Sequence, residues 1–257
     1  GKFFSIQGIR VSTNYGLVPQ WDQPIINQPE IGFLGFIVQR KQNVLHFLLQ
    51  AKIEPGNLNV IQLSPTLQAT RSNYTRVHKG RSPLYLEYFT GEKKVEILVD
   101  QLQSEQGARF YQKRNRNIIV EVDENEELPV YENFVWASLG QIKELLTYPN
   151  VVNMDTRTVI SCIQYGNYSE KDLQLLSVFR LDTNLGHSDS FLYSVLSSDN
   201  HYNTMNSIIR WLTSLKFKYE LNVDKIGLSE MNNWIYDGNV IEHKDKKYFS
   251  VIGVDVS

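Results

Sequence analysis

Between Leu49 and Tyr74 the run LQAKIEPGNLNVIQLSPTLQATRSNY brings Gln50, Lys52, Glu54, Asn57, Asn59, Gln62, Gln68, Arg71 and Asn73 close together. Each can donate or accept hydrogen bonds. Such a run is either the wet face of two strands joined at Pro55-Gly56 or the lining of a site that grips a polar ligand. Arg71, Arg76, His78, Lys79 and Arg81 follow, with Asn73, Tyr74 and Thr75 interleaved. Guanidinium groups hold phosphate oxygens in pairs, so this segment is either a phosphate-binding loop or a solvated basic one. KRNRN (113–117) sets three cations and two amides ahead of the apolar run IIVEV. A fourth group, Trp21, Gln23, Gln28 and Glu30, is spaced by Pro24 and Pro29.

Missing motifs narrow the chemistry. There is no GxGxxG with a following acidic residue and no GxxxxGK[ST], so the common phosphate-loop fingerprints fail. Neither CxxC nor HExxH occurs and the five His are scattered, which argues against zinc. No GxSxG elbow is present. What remains suits a phosphorylated, hydroxyl-rich ligand handled without a metal or redox cofactor. The same residues would also serve a binding module.

The elements that must position these groups read as α+β, strands first and helices later. GFLGFIVQR (32–40) and VLHFLLQAK (44–52) form a hairpin turning at 41–43, with His46 in a structural role. Further strands are expected at 95–103 and 118–122, with the acidic DENEEL as surface loop. The prolines make 14–32 an extended, turn-rich loop. Ser138 can cap a helix through LGQIKELL, and Asp155 can cap TRTVISCI and pair with Arg157. Helices are also expected near 171–179, 191–197 and 201–221. In the last, Ile208, Ile209, Trp211, Leu212 and Leu215 form an apolar stripe read as core. Ser229 is expected to cap a short helix holding Met231 and Trp234, and strands at 240–243 and 248–256 close the chain.

Charge is nearly balanced, 26 basic against 28 acidic residues, which gives no electrostatic ground for nucleic acid or a membrane surface as partner. The lone Cys162 allows no intrachain disulfide and fits a reducing compartment. No apolar run approaches the ~20 residues that span a bilayer. No signal peptide opens the chain, and its Gly-Lys start is read as trimming or processing. A soluble, cytoplasmic protein is expected. The ends are related: KFFSIQGIRVS (2–12) matches KYFSVIGVDVS (247–257) at six of eleven positions, three more being Phe/Tyr or Ile/Val exchanges. Self-similarity of this kind signals a repeat.

WDQPIINQPEIGFLGFIV, LQAKIEPGNLNVIQLSPTLQATRSNYTRVHKG, LVDQLQSEQGARFYQKRNRNIIVEVDE and VVNMDTRTVISC together resemble the NDP-hexose 2,3-dehydratase family. The likeness is collinear, strongest between Trp21 and Cys162 and weakest over 164–200. It implies a Nudix-like mixed β-sheet module with flanking helices and a helical C-terminal part, without the metal signature of Nudix hydrolases. It also implies tandem halves and homodimers. The domains expected are a nucleotide-sugar-binding module over 1–163, a helical extension over 164–245, and at 246–257 the opening strand of a second repeat. Family members are about twice this length, so the chain resembles their N-terminal half.

The resemblance implies a dTDP-linked 4-keto-6-deoxyhexose substrate and loss of water across C2 and C3, in deoxysugar biosynthesis, with no cofactor. The alternative is a non-catalytic nucleotide-sugar-binding or dimerisation half. For acid and base the candidates are Glu105 and Glu54, then Tyr74 and Lys52. Arg71, Arg114 and Arg116, with Lys79, are expected on the diphosphate, and Trp21 or Tyr74 on the base. Gln50, Gln68, Asn73 and Asn115 complete the expected binding set. Asp155 with Arg157 is read as a helix cap and ion pair in preference to a catalytic pair.

Overall fold

Runs of β-branched and aromatic residues with period two set out the strands of the first half. The computed structural model describes residues 4–70, 82–165, 191, 194, 195 and 202–253. In order they form β1 (Ser5–Thr13), β2 (Gln20–Asn27), β3 (Gly32–Lys41), β4 (Val44–Ile53), β5 (Ile61–Ser64), β6 (Leu67–Ala69), β7 (Glu96–Ser104), β8 (Arg114–Val122) and β9 (Phe134–Ser138). Helices α1 (Leu139–Leu145), α2 (Met154–Ser161) and α3 (Met205–Lys218) follow, then β10 (Leu221–Ile226), β11 (Trp234–Tyr236), β12 (Val240–His243) and β13 (Ser250–Ile252). The expected α+β class is what the structure shows. By its contacts the chain divides into one unit of 1–10, 22–163 and 225–257 and another of 11–21 and 164–224.

The first unit is built on a sheet in the order β5–β4–β3–β8–β7, with β6 added to β3 and β9 to β4. Its central pair, β3 and β8, is parallel, and the other pairings are antiparallel. The β3–β4 turn places Gln42 and Asn43 at φ 52° and 63°, the left-handed geometry that a two-residue hairpin needs. Because side chains alternate along a strand, β3 and β8 feed two cores, one on each face. Phe36, Val38 and Ile119 pack under Ile142 of α1 and Val159 and Ile160 of α2. Ile37, Ile118, Val120 and Val122 pack under Tyr85, Leu86, Tyr88 and Phe89. Gly35 is required on that second face, where an added Cβ would stand 2.3 Å from the Phe89 ring.

Both helices over the first core carry side-chain caps. Ser138 and Gln141 form a capping box at α1, as the sequence suggests. At α2 the cap is Asn153, whose side chain accepts from the amide of Thr156. That corrects the assignment to Asp155, which lies inside the first turn. Two cap-forming residues stand two apart there, and a helix uses one.

Three further expectations change. The loop expected over 14–32 contains β2, which tolerates Pro24 because it is an edge strand of the sheet β10–β1–β2. The helix expected at Ser229 is a single 3-10 turn, Leu228–Glu230, and Trp234 lies in β11. Residues 225–236, expected in the helical extension, carry the end of β10 and β11, while β12 lies where a strand is expected. There Asp22 ties the N-terminal strands to the C-terminal segment. Arg10 donates to both its oxygens at 2.9 and 3.0 Å, the Asn232 amide donates at 2.7 Å, and Trp234 Nε1 donates to its carbonyl. The Arg10 guanidinium holds the Asp22 carboxyl below the usual carboxylate range.

In the second unit α3 is capped by Thr204 at its start. Its end is held by Asn14, which donates to the Lys218 carbonyl and accepts from the Glu220 amide. None of the helix is buried, and Trp211 is 60% and Phe217 87% exposed. The stripe read as core is therefore not core here: a 3.6-residue period shows that a face is apolar, not what covers it. The helix expected near 171–179 lies outside the described residues, and of 191–197 only residues 191, 194 and 195 are described, all helical.

Candidate active site

A cavity of about 270 Å³ opens where β3 and β8 begin and β6 ends, beside the start of α2. Its chemistry comes from Lys52, Gln68, Glu105, Lys113, Asn115 and Asp155, with Gln28, Thr70 and Phe110 around them. Lys52 stands near the end of β4 and Gln68 in the middle of β6, opposite Leu34 of β3. Glu105 and Lys113 face each other just beyond the last paired residues of the β7–β8 ladder, Ser104 and Arg114, and the Glu105 amide donates to the Lys113 carbonyl at 2.9 Å. Asn115 follows on β8, opposite Gly32, where a Cβ would stand 3.0 Å from the Asn115 Oδ1. Glycine at 32 thus leaves the asparagine room.

Two hydrogen-bond chains order the site. Asn115 Nδ2 donates to Glu105 Oε2. Asn153 Nδ2 donates to Gln68 Oε1 at 3.3 Å, and Gln68 Nε2 donates to Glu54 Oε1 at 2.9 Å. Glu54 also pairs with Lys52 at 3.4 Å. The segment that carries Glu105 and Lys113 is pinned from outside. Ile26 and Phe110 form an isolated parallel bridge, Arg109 stacks on Phe249 at 4.2 Å, and Lys225 stacks on Tyr111 at 4.6 Å.

Asp155 is the group whose ionisation the site changes most. Burial pushes its carboxyl up from 3.8 to about 6, and the charges of Glu105 and Glu54 push the same way against Lys52. A helix N-terminus favours a carboxylate by about 0.3–1 kcal/mol. A rise of this size corresponds to roughly 3 kcal/mol, so burial and like charge win. Lys113 moves oppositely. Only 4% exposed, it donates from Nζ to the Glu30 carbonyl, and burial lowers its ammonium below the usual lysine range while Glu105 and Glu30 pull it back.

The sequence-predicted residues divide accordingly. Lys52, Gln68, Glu105 and Asn115 come together in the cavity, and Glu54 supports Lys52 and Gln68 from behind. Gln50 lies between Ser64 and Phe134 in the sheet, away from the lining. Arg116 falls on the opposite face of β8, bound through two bonds to Asp100 at 2.6 and 2.7 Å and stacked near Phe33. Arg114 shares that parity and is exposed. Trp21 belongs to the other unit, and Arg71, Asn73, Tyr74 and Lys79 lie outside the described residues. No ion pair joins Asp155 to Arg157 among the described residues, where Arg157 Nε instead donates to the Asn153 carbonyl. Lys113 and Asn153 were missed as site residues, and Asp155 was weighed as catalytic but set behind a helix cap and ion pair. A signal for Lys113 was available, since it keeps the parity of Asn115.

Such an arrangement can move a proton onto one carboxylate and off another in a confined polar space. Among the described residues no group of three His, Cys, Asp or Glu is placed to hold a metal ion, and no helix is long and apolar enough to cross a membrane.

Comparison with known proteins agrees with the residues that carry the resemblance. A family model described as NDP-hexose 2,3-dehydratase matches residues 1–163 and 205–257. The chain is 46% identical over 260 residues to a dTDP-4-dehydro-6-deoxy-alpha-D-glucopyranose 2,3-dehydratase of Saccharopolyspora spinosa, covering 100% of this chain and 51% of the relative. A protein of the same name from Amycolatopsis orientalis is 38% identical over 265 residues, with 100% and 49% covered. The chain thus spans about half the length of the curated relatives it matches. Among solved structures, an ADP compounds hydrolase aligns over 70% of this chain and 91% of its own, with 12% identity and a TM-score of 0.40.

Proposed function

The chain belongs to the NDP-hexose 2,3-dehydratase family, and we propose that its cavity takes the sugar ring of a dTDP-linked 4-keto-6-deoxyhexose and removes water across C2 and C3. A volume of about 270 Å³ falls just under the ~300–1,000 Å³ typical of sites for drug-sized ligands. It suits a hexose ring, with the diphosphate extending outward. The basic segment that begins at Arg71, next in the chain after the lining residue Thr70, is the proposed grip on that diphosphate.

The observation that carries this reading is the pair of carboxyls in one cavity, of which Asp155 keeps its proton up to about pH 6. The C4 ketone acidifies the C3 hydrogen. Glu105, with one oxygen occupied by Asn115, takes that proton on the other, and the electron pair moves to the C4 oxygen. Lys52 stabilises the resulting oxyanion. As the enolate collapses the C2–O bond breaks, and Asp155 delivers its proton to the departing hydroxyl. The C3 enol so formed tautomerises to a 3,4-diketo sugar. Carbon is neither oxidised nor reduced overall, so the sequence of steps calls for no nicotinamide.

The test incubates the chain with dTDP-4-keto-6-deoxyglucose and a reductase that traps the diketo product. The reading predicts a reduced 2-deoxy sugar. Unchanged substrate with intact dTDP binding would overturn it in favour of a binding half, a reading that the half-length match to the relatives keeps in play.

A further inference from the structure

The loop from Glu105 to Lys113 carries a cavity carboxyl at one end, a buried ammonium at the other and the lining residue Phe110 between them. Its two ends are tied by the 2.9 Å bond from the Glu105 amide to the Lys113 carbonyl, but the loop lies beyond the paired residues of the β7–β8 ladder. Its middle is held by two segments distant in the chain. From β2, Gln23 Nε2 donates to the Ala108 carbonyl at 2.9 Å and the Ile26 amide to the Arg109 carbonyl at 2.9 Å, and the Tyr111 amide donates back to the Ile26 carbonyl at 2.8 Å. From the C-terminal segment come two cation–π contacts, the Phe249 ring 4.2 Å from the Arg109 guanidinium and Lys225 4.6 Å from the Tyr111 ring. Phe249 is itself fixed. Its ring centroid stands 5.2 Å from that of Trp234, whose Nε1 donates to the Asp22 carbonyl on β2 at 2.7 Å. Neither Phe249 nor Lys225 lines the cavity.

We propose that Phe249 is a positioning residue for the water loss: by stacking on Arg109 it sets the loop that carries Glu105, and with it the place of the base relative to the C3 hydrogen. A general base works only within hydrogen-bond reach of its proton, ~2.6–3.2 Å. A misplacement on the order of 1 Å, even from a change far from the chemistry, can cost about a hundredfold in rate. The main-chain bonds to Ile26 hold the loop whatever its side chains are. The stack adds a restraint that side chains alone create, because a planar guanidinium over a ring face fixes the height and tilt of Arg109. Through Trp234 and Asp22 that restraint leads back to β2, the same strand that holds the loop's backbone. The proposal rests on the dehydratase reading for its purpose, but the restraint it asserts exists in the free protein.

The test compares the whole chain as wild type, Phe249→Leu, Phe249→Tyr, Arg109→Gln and the Phe249→Leu/Arg109→Gln double variant. Three quantities are read: deuterium exchange at C3 of dTDP-4-keto-6-deoxyglucose, dTDP affinity by calorimetry, and NMR hydrogen exchange of the Glu105 and Tyr111 amides in the free protein. Leucine keeps an apolar contact with Trp234 and removes the ring. Phe249→Leu should slow C3 exchange about two- to fivefold, the worth of an exposed cation–π contact written as a ratio, with dTDP affinity within about twofold. The two amides should exchange faster by a similar ratio. Phe249→Tyr restores wild-type values. Arg109→Gln matches Phe249→Leu, and the double variant is no slower than either, because all three lose one contact. A ring that only fills space beside Trp234 would leave Arg109→Gln at the wild-type rate, or make the two losses multiply, and either result overturns the proposal. If Phe249→Leu does not fold, Arg109→Gln, changed at an exposed side chain, decides alone: unmoved amides overturn it. Turnover is scored separately. Faster amide exchange in a wild type that exchanges no C3 hydrogen sinks the dehydratase reading alone, and C3 exchange with unmoved amides in the variants sinks the role of Phe249 alone.

Discussion

Five consecutive residues, 113–117, show two surfaces of one strand. Lys113, Asn115 and Asn117 are 4%, 9% and 0% exposed, and the first two line the cavity. Arg114 is exposed, and Arg116, between them in sequence, spends both guanidinium bonds on Asp100 across β7. Composition makes KRNRN a single polar cluster, but the pleat divides it, because successive side chains leave a strand in opposite directions. The lesson is about which polar groups the fold can afford to bury. The amide N–H groups of Asn115 and Asn117 and the Lys113 ammonium go inward onto acceptors, while the guanidinium groups, with five donors each to satisfy, stay where water and an exposed carboxylate can reach them.

The largest expected effect comes from the buried face's acidic counterpart. Asp155→Asn should lower the rate of water loss by about 10²–10⁴-fold, the usual worth of a general acid. The same change should stabilise the fold at neutral pH. Folded Asp155 keeps its proton to about pH 6, whereas the unfolded carboxyl releases it near 3.8. Its favourable contribution is therefore complete below the lower value and lost as pH rises through the upper one. Above pH 6 the wild type carries a penalty of roughly 1–3 kcal/mol that the variant lacks. Thermal melts at pH 8 should favour Asp155→Asn, and melts at pH 3.5 should show the two alike.

A step smaller is Asn115→Leu, which removes the donor from Glu105. A hydrogen bond to a charged group is worth about 1.5–3 kcal/mol, so the rate should fall about ten- to a hundredfold while dTDP affinity by calorimetry stays within twofold. On the other face, Arg116→Ala should change stability by less than about 1 kcal/mol, as half-exposed ion pairs do, and the rate less than twofold. A large loss of rate from Arg116→Ala would erase the distinction between the faces. The smallest effect belongs to α3, where Ile209→Ser at a 55% exposed position should shift urea-unfolding stability by no more than about 0.5 kcal/mol. Phe36→Ala, by contrast, should remove about 3–5 kcal/mol from the sheet's core.

Much of the first unit was legible in the sequence. The β3–β4 hairpin, the run before β8 and the Ser138 capping box follow from local pattern, and local pattern is what a ladder or a cap uses. What stayed hidden is instructive. The 14–32 region looked like loop because prolines bar helices and central strands, but an edge strand leaves one side of its backbone unpaired and admits them. The α3 stripe looked like core because periodicity reports an apolar face without naming its cover. Within the site, Glu105, Lys52, Gln68 and Asn115 could be found by residue type. Asp155 was weighed and set aside as a cap, because its importance comes from burial beside Glu105 and Glu54, carboxylates far from it in sequence.

The central claim is that the cavity's two carboxyls do chemistry and that Glu105 begins it. The direct measurement is exchange of the C3 hydrogen of dTDP-4-keto-6-deoxyglucose for deuterium, followed by NMR in heavy water, with wild type and Glu105→Gln at equal dTDP saturation. The account predicts exchange in the wild type and its loss by about 10²–10⁴-fold in the variant, with dTDP still bound. Exchange at the wild-type rate in Glu105→Gln would contradict it.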